Sequence, residues 1–326
     1  MENDSMFESR LDLTQVKSTF DAIQSQINQV ILGQESIVEL LTIALFCEGH
    51  VLLEGMPGVA KTMTAKCLAK SVDAGFSRIQ FTPDLMPSDV IGTMIYNPKS
   101  TEFTFKSGPI FSNVILIDEI NRAPAKTQAA LFECMEEHQV TVDGVRHELS
   151  SPFVVIGTQN PVDHEGTYRL PEAQLDRFIF KLRVNYPDTN TEVKVLELFQ
   201  HNKLSANLTN IKGVIDAEKL KSIQAVIAKV SVKAEIMQYI AALVNETRNN
   251  PNIYLGASPR ASINLLQSSK TLAAVQGRDF VTPDDVRELL LPVLNHRISL
   301  NPEKEMEGMT NEGALKLIID KVAVPS

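Results

Sequence analysis

The chain has 326 residues, which is enough for two domains with a core each. Its 44 % apolar and 22 % charged residues are ordinary for a globular protein. The net charge of −9 argues against nonspecific nucleic-acid binding, which depends on excess Lys and Arg. Three scattered cysteines indicate reduced thiols, and no signal peptide or membrane-spanning run is evident. We therefore expect a cytoplasmic protein without membrane insertion.

The first half alternates short apolar runs with helical patterns, which is typical of a parallel sheet covered by helices. A polar segment at 1–10 is expected to be frayed, and an amphipathic helix is predicted over 13–30. Strands are predicted at 51–53, 78–81, 114–117, 153–156 and 178–184. We therefore predict an α/β domain over 11–186.

The second half, after Pro187, loses these strand signals and shows helical periodicity instead. Helices are predicted at 192–199, 217–230, 234–247, 259–276 and 283–295. The run Thr282-Pro283-Asp284-Asp285 combines an N-cap, a proline at the first helical position and acid in the first turn. These patterns predict a smaller, all-α domain over 187–326.

A glycine-rich turn at 55–62, Gly-Met-Pro-Gly-Val-Ala-Lys-Thr, follows the first predicted strand and opens a helix predicted at 63–72. Backbone N–H groups in such a turn wrap phosphate oxygens, and the helix N-terminus adds positive charge. Lys61 would reach the β- and γ-phosphates, and the Thr62 hydroxyl would hold Mg²⁺. Ala60 replaces the usual second glycine, although alanine avoids a strongly positive φ. A plain strand-turn-helix remains the alternative.

Polar side chains also end two later strands, at the edge where open α/β sheets bind ligands. Asp118 would hold Mg²⁺, directly or through water, and Glu119 would accept a proton from the attacking water or orient it. Asn160 would contact the γ-phosphate or position the water. The alternatives are a solvated acidic turn at Asp118 and Glu119, and an Asn-Pro turn at Asn160.

Two arginines complete the candidate site. Arg260 follows a Ser-Pro pair in the first turn of a helix, where a cation opposes the helix dipole unless an anion lies nearby. The second domain would thus close over the triphosphate. Arg177 precedes the last strand, where it would stabilise transition-state charge in a neighbouring subunit. Its alternative role is a salt bridge with Asp176 or Glu172.

Together these motifs resemble the AAA+ ATPases and, within them, the MoxR branch. The resemblance rests on the turn at 55–62 with its alanine and on four further segments, in family order from Val30 to the end of the chain. The segments are Phe-Thr-Pro-Asp-Leu-Met-Pro-Ser-Asp at 81–89, Asp-Glu-Ile-Asn-Arg-Ala-Pro at 118–124, Leu-Pro-Glu-Ala-Gln-Leu-Asp-Arg-Phe at 170–178 and Gly-Ala-Ser-Pro-Arg-Ala at 256–261.

The resemblance implies a P-loop AAA+ sheet flanked by helices, an all-α lid, and a role for each matching residue. Asn160 matches the first sensor, Arg177 a trans-acting finger and Arg260 the second sensor. Gln80 matches a polar switch that holds Glu119 idle, and hairpins are implied at 92–106 and 140–149. The nucleotide contacts implied are Ile31, Leu32 and Gly33 for adenine; Gly55, Pro57, Gly58, Val59, Ala60, Lys61, Thr62 and Met63 for phosphate; and Thr62 with the Walker B residue Asp118 for Mg²⁺.

The resemblance further implies a ring, usually a hexamer, that uses ATP and Mg²⁺, releases ADP and remodels or matures partner proteins. Such partners often carry a von Willebrand A domain. Three alternatives remain open: a nucleic-acid motor, a GTPase switch and a nucleotide-gated binding module with negligible turnover. The acidic balance argues against the first alternative. The missing guanine-reading Asn-Lys-x-Asp motif argues against the second, and the intact residues Glu119, Asn160, Arg177 and Arg260 argue against the third.

Overall fold

The computed structural model describes residues 11–56, 58–99, 101–160, 170–201 and 209–325. The frayed segment predicted at 1–10 and the phosphate-loop residue Pro57 lie outside the described residues. The elements of the first half are α1 (Thr14–Asn28), α2 (Glu35–Phe46), β1 (His50–Gly55), α3 (Lys61–Ser71), β2 (Phe76–Gln80), α4 (Pro87–Ile91), β3 (Gly92–Asn97), β4 (Glu102–Ser107), β5 (Val114–Asp118), α5 (Ala125–Glu137), β6 (Gln139–Val142), β7 (Val145–Glu148), β8 (Val154–Gln159), α6 (Glu172–Leu175) and β9 (Phe178–Val184).

A five-stranded sheet in the order β2-β5-β8-β1-β9 forms the centre of the first half, and all its strand pairs are parallel. The five predicted strands are therefore confirmed. Along β5, Val114 and Leu116 join the core on one side of the sheet, whereas Ile115 and Ile117 join the core on the other. A strand buried on both faces needs the unbroken apolar run that predicted it.

Two antiparallel hairpins, β3–β4 and β6–β7, extend from this sheet at the positions that were expected. The second hairpin turns through Asp143 and Gly144, both with positive φ, as a tight Asp-Gly turn requires. The His147 ring stacks on Phe105 with 4.1 Å between ring centroids, so the two hairpins contact each other.

In its described part, the second half is helical apart from one short antiparallel strand pair and an isolated bridge between Ser231 and Phe280. Its elements are α7 (Thr189–Gln200), α8 (Ala217–Ile227), α9 (Ala234–Asn249), β10 (Ile253–Leu255), α10 (Pro259–Val275), α11 (Pro283–Leu294), β11 (Ser299–Leu300), α12 (Pro302–Met306) and α13 (Asn311–Lys321). The pairing of β10 with β11 adds a short strand pair to the helical region that was predicted. Strands this short are too brief to show an alternating pattern. The domain boundary near Pro187 stays a prediction.

A buried arginine anchors this helical region to the amino end of β9. Arg297 Nε donates to Asp176 Oδ1 at 2.8 Å, and its NH2 group donates to the Asp176 carbonyl at 2.9 Å. Asp176 Oδ2 accepts a hydrogen bond from Ser258 Oγ, also at 2.8 Å, just before α10 begins. Burial lowers the pKa of Arg297 to about 10, so the guanidinium stays charged at neutral pH and is paired. The start of α10 is thus fixed beside the amino end of β9.

Within the described part of the chain, no helix combines the length and apolar character needed to cross a membrane.

Candidate active site

A cleft of about 480 Å³ opens at the carboxyl ends of β1, β5 and β8. It joins most of the phosphate, metal and catalytic residues that the sequence singled out, the predicted switch residue Gln80, and three residues that were not predicted. The lining residues are Gly55, Gly58, Val59, Ala60, Lys61, Thr62, Met63, Gln80, Asp118, Glu119 and Asn160 from the prediction, and Lys66, Arg78 and Thr158 in addition. Parallel strands explain this convergence, because their carboxyl ends meet at one edge of the sheet.

The phosphate loop contains a strained residue where a glycine is usual. Ala60, the residue before α3, adopts φ +59° and ψ +14°, in the left-handed region. The expectation that alanine avoids such an angle is therefore wrong at this position. The left-handed conformation costs an alanine about 1–2 kcal/mol. Strain of this kind is typical of ligand-binding loops that the surrounding structure holds in place.

Lys61 points its ammonium at the carboxyl end of β1. Its Nζ donates to the Gly55 carbonyl and, at 3.3 Å, to the Met56 carbonyl. Desolvation lowers the pKa of Lys61, while the nearby charges of Asp118 and Glu119 oppose that shift. Both carbonyls are acceptors that a phosphate oxygen would replace, so the lysine is placed to bind a polyphosphate.

Asp118 is buried and is held from both sides. Its Oδ2 accepts from Arg78 Nε at 2.6 Å, and its Oδ1 accepts from Thr158 Oγ1 at 3.2 Å. With Thr62, the cleft offers the oxygen ligands that Mg²⁺ prefers, and phosphate oxygens commonly complete such a site. Arg78 already places a positive charge on Asp118 Oδ2. The oxygen donors of Asp118 and Thr62 fit a Mg²⁺ ion, which would share Asp118 with Arg78.

Glu119 also has a left-handed backbone, with φ +57° and ψ +51°. Its Oε2 accepts from Gln80 Nε2 at 3.1 Å and pairs with Arg122 Nε at 3.1 Å. The contact expected of the Gln80 switch is thus present, whereas Arg122 was not predicted to take part. Both donors contact the same oxygen, Oε2, so this oxygen is already occupied by protein groups.

The segment predicted to contact adenine borders the phosphate loop without lining this cleft. Gln34 Nε2 donates to the Val59 carbonyl at 3.1 Å and so connects the two segments. Gly33 has φ +71°, and a Cβ there would lie 2.7 Å from Cγ2 of Thr191 in α7. Ile31 is buried in the core, and Leu32 lines a separate cavity of about 530 Å³ beside α7. The adenine role of Ile31, Leu32 and Gly33 stays a prediction.

Arg177 and Arg260 lie together, away from the cleft. Arg177 NH2 is 2.6 Å from Glu136 Oε2, and Arg260 NH2 is 2.5 Å from Glu136 Oε1. Arg177 directly precedes β9, whereas the other end of that strand, Val184, pairs with Gly55 of the phosphate loop.

The length of β9 separates these two arginines from the phosphate loop of the same chain. The strand is seven residues long. At about 3.3 Å per residue, its two ends are about 20 Å apart. The expectation that Arg260 closes over the triphosphate of its own subunit is therefore corrected. Its helix is fixed at the amino end of β9 through Asp176 and Arg297.

Comparisons with known proteins agree with this architecture. The family model for the ATPase family associated with various cellular activities (AAA) matches residues 50–180. A model of the AAA lid domain matches residues 245–316. A structure of an ATPase candidate from Cytophaga hutchinsonii superposes with a TM-score of 0.89 at 40 % identity, covering 96 % of this chain and 97 % of that one.

Curated relatives match along nearly the whole chain. Chaperone MoxR1 of Mycobacterium tuberculosis is 40 % identical over 92 % of this chain and 81 % of its own length. The protein YeaC of Bacillus subtilis is 48 % identical over 92 % of both chains. Protein MoxR of Methylorubrum extorquens is 29 % identical over 90 % of this chain and 91 % of its own.

Proposed function

The chain belongs to the MoxR family of AAA+ ATPases, and on this premise we propose that it hydrolyses ATP in an active site shared by two copies of the chain. The observation that carries this proposal is the separation of the two halves of the site. The cleft holds Lys61, Asp118, Glu119 and Asn160. The second group of predicted catalytic residues, Arg177 and Arg260, lies at the opposite end of β9. A neighbouring copy would bring its arginines to this cleft.

Within the cleft, each residue has a distinct task. Backbone N–H groups of the phosphate loop and Lys61 would bind the triphosphate, with Thr62 and Asp118 holding Mg²⁺. Mg²⁺ would supply positive charge that neutralises the phosphates. Glu119 would accept the proton of the attacking water once Gln80 and Arg122 release it, and Asn160 would orient that water. ADP and phosphate would be the products.

The neighbour's arginines would act on the charge that develops as the γ-phosphate leaves. Arginine fingers are worth about 10³–10⁵ in rate in other ATPases and GTPases. Each copy would give its arginines to one neighbour and its cleft to the other, which is a head-to-tail contact. Repetition of such a contact builds a ring when the rotation between copies closes, and an open filament when it does not. We propose a homo-oligomeric ring and take the hexamer usual for this family as its first candidate.

We propose that hydrolysis drives the remodelling or maturation of partner proteins, including proteins with a von Willebrand A domain. The name of the mycobacterial relative, a chaperone, supports this role. All three cysteines, Cys47, Cys67 and Cys134, are free thiols, which supports a reducing compartment such as the cytoplasm. The two contacting hairpins offer a route by which the sheet would move a client.

Turnover at increasing protein concentration tests the shared site. We expect the rate per subunit to rise steeply as the ring assembles, and ATP to be preferred over GTP. Glu119→Gln should bind ATP and lose turnover. Arg177→Ala and Arg260→Ala should still bind ATP within each subunit, but the assembled protein should no longer turn it over. A rate per subunit that is constant from monomer to assembly would contradict the proposal. Salt-sensitive DNA binding would instead favour a nucleic-acid motor.

A further inference from the structure

Glu136 is the point at which the two predicted trans-acting arginines meet. It lies near the end of α5. Its Oε1 pairs with the guanidinium of Arg260, and its Oε2 pairs with the guanidinium of Arg177. Nothing in the local sequence distinguishes it from Glu133 or Glu137 on the same helix. One carboxylate therefore links the sheet region, which carries Arg177, to the first turn of α10, which carries Arg260.

Glu136 is the carboxylate whose negative charge offsets the two positive charges of Arg177 and Arg260. Asp176, the other described carboxylate with an ion pair to either arginine, is 3.9 Å from Arg260 Nη1 but is already paired with the buried Arg297 and accepts from Ser258. Two guanidinium groups brought to one carboxylate would repel each other without it. Their long side chains would also regain the rotamer freedom that the ion pairs restrict.

The pair still has free capacity for an anion. A guanidinium carries five N–H donors, and Glu136 engages one nitrogen of each arginine. The side chains remain partly exposed, 27 % for Arg177 and 38 % for Arg260. The Arg177 guanidinium also lies 5.8 Å from the centre of the Phe132 ring, which restricts it further. Because both side chains are partly exposed, the remaining donors are accessible to a neighbouring copy in the proposed shared site.

We propose that Glu136 is a positioning residue, which holds Arg177 and Arg260 side by side so that both reach the triphosphate of the neighbouring copy together. This inference rests on the proposed shared site and adds to it the group that couples its two arginines. Glu136 itself contacts no substrate and acts only through the two guanidinium groups.

The direct test is Glu136→Gln, which keeps the size of the side chain and removes its charge. We expect kcat of the assembled protein to fall about 10- to 100-fold, because displacing catalytic groups by about 1 Å costs about 100-fold. The Kd for ATP of isolated subunits should stay unchanged, since Glu136 is remote from the cleft. The matched control is Glu137→Gln, which removes the same charge from the next, exposed residue and should leave kcat unchanged.

A double-variant cycle separates positioning from a general structural role. Residues that act as a unit are non-additive. Adding Glu136→Gln to the double variant Arg177→Ala/Arg260→Ala, in which no guanidinium is left to position, should therefore lower kcat by less than twofold, although it lowers kcat 10- to 100-fold in the parent protein. An equal fall in both backgrounds would overturn the inference.

Failure of this inference can be told apart from failure of the shared site. If Arg177→Ala and Arg260→Ala reduce turnover but Glu136→Gln hydrolyses ATP at the parent rate, only the positioning role is overturned. A higher rate for Glu136→Gln would also overturn it, because Glu136 would then restrain the arginines. If Arg177→Ala and Arg260→Ala themselves run at the parent rate, the shared site is wrong and the inference falls with it.

Discussion

Arg78 Nε donates to Asp118 Oδ2 at 2.6 Å, so a guanidinium contacts one of the two oxygens of this candidate metal ligand. Arg78 lies on β2 two residues before Gln80, and residues two apart in a strand share a face. The same strand face thus contacts both acids of the site, Asp118 through Arg78 and Glu119 through Gln80. Strand β2 therefore supplies one hydrogen-bond donor to each of the two acids in the cleft.

This contact predicts how Arg78 affects metal binding. A cation must share Asp118 with Arg78, so Arg78→Gln should lower the Mg²⁺ concentration needed for half-maximal binding of a fluorescent ATP analogue, by about 3- to 10-fold. One charge-assisted hydrogen bond is worth about 1.5–3 kcal/mol, or roughly 10- to 150-fold. The Arg78 side chain is 54 % exposed, so solvent screening reduces the expected effect. Arg146→Gln on the exposed strand β7 is the control with the same charge change. An unchanged or higher Mg²⁺ requirement in Arg78→Gln would show that Arg78 does not compete with the metal.

The Gln80–Glu119 hydrogen bond predicts that loss of Gln80 raises ATP turnover. Removing the donor in Gln80→Ala should free Glu119 as a base and raise ATP turnover in the absence of a client. A net contribution of about 1 kcal/mol for one hydrogen bond corresponds to about a fivefold increase. Arg122 still pairs with Glu119 in this variant, so a larger rise is not expected. Steady-state phosphate release measures the effect, and a fall in rate would mean that Gln80 supports catalysis instead.

A buried histidine predicts a loss of stability in acid. His50 Nδ1 accepts from the Val155 N–H at 3.0 Å, so its Nε2–H donates to the Met135 carbonyl at 3.1 Å. Desolvation by burial lowers the pKa of His50 to about 4. The unfolded chain, with an ordinary histidine pKa of about 6.5, takes up the proton first as pH falls. Stability is therefore lost between pH 6.5 and 4, by up to about 3 kcal/mol.

Urea unfolding at pH 7 and pH 5 measures this change. His50→Gln keeps one donor and one acceptor but cannot titrate, so its unfolding free energy should depend less on pH than that of the parent. His296 is also buried with a lowered pKa, and some acid sensitivity should therefore remain. Replacing the exposed His201 by Gln is the control and should leave the pH dependence intact. Equal pH dependence in His50→Gln and the parent would contradict this account.

The sequence predicts the sheet well because the signals for buried parallel strands are local. An unbroken run such as Val114 to Ile117 and a turn that ends in Lys61 and Thr62 carry their meaning within a few residues. The position of Arg260 could not be predicted in this way. It depends on how α10 packs, which is set by contacts between residues more than 80 positions apart, Ser258 and Arg297 with Asp176.

Other site residues were missed for related reasons. Arg78 was detectable in principle, since it shares a strand face with Gln80. Glu136 was not, because the helix α5 offers three similar carboxylates, Glu133, Glu136 and Glu137, and only tertiary packing selects one. The left-handed angle of Ala60 also escaped prediction, since intrinsic preference opposes it and the loop imposes it.

The central claim, that one copy of the chain completes the active site of another, is tested most directly by mixing two inactive variants. Glu119→Gln subunits lack a working cleft but keep Arg177 and Arg260, whereas Arg177→Ala subunits lack the finger but keep the cleft. When the two are mixed, intact arginines from the first should meet intact clefts of the second. We predict that ATP turnover in the mixture rises well above that of either variant alone. Turnover no higher than the sum of the two separate variants, in mixtures shown to form hybrid assemblies, would contradict the account.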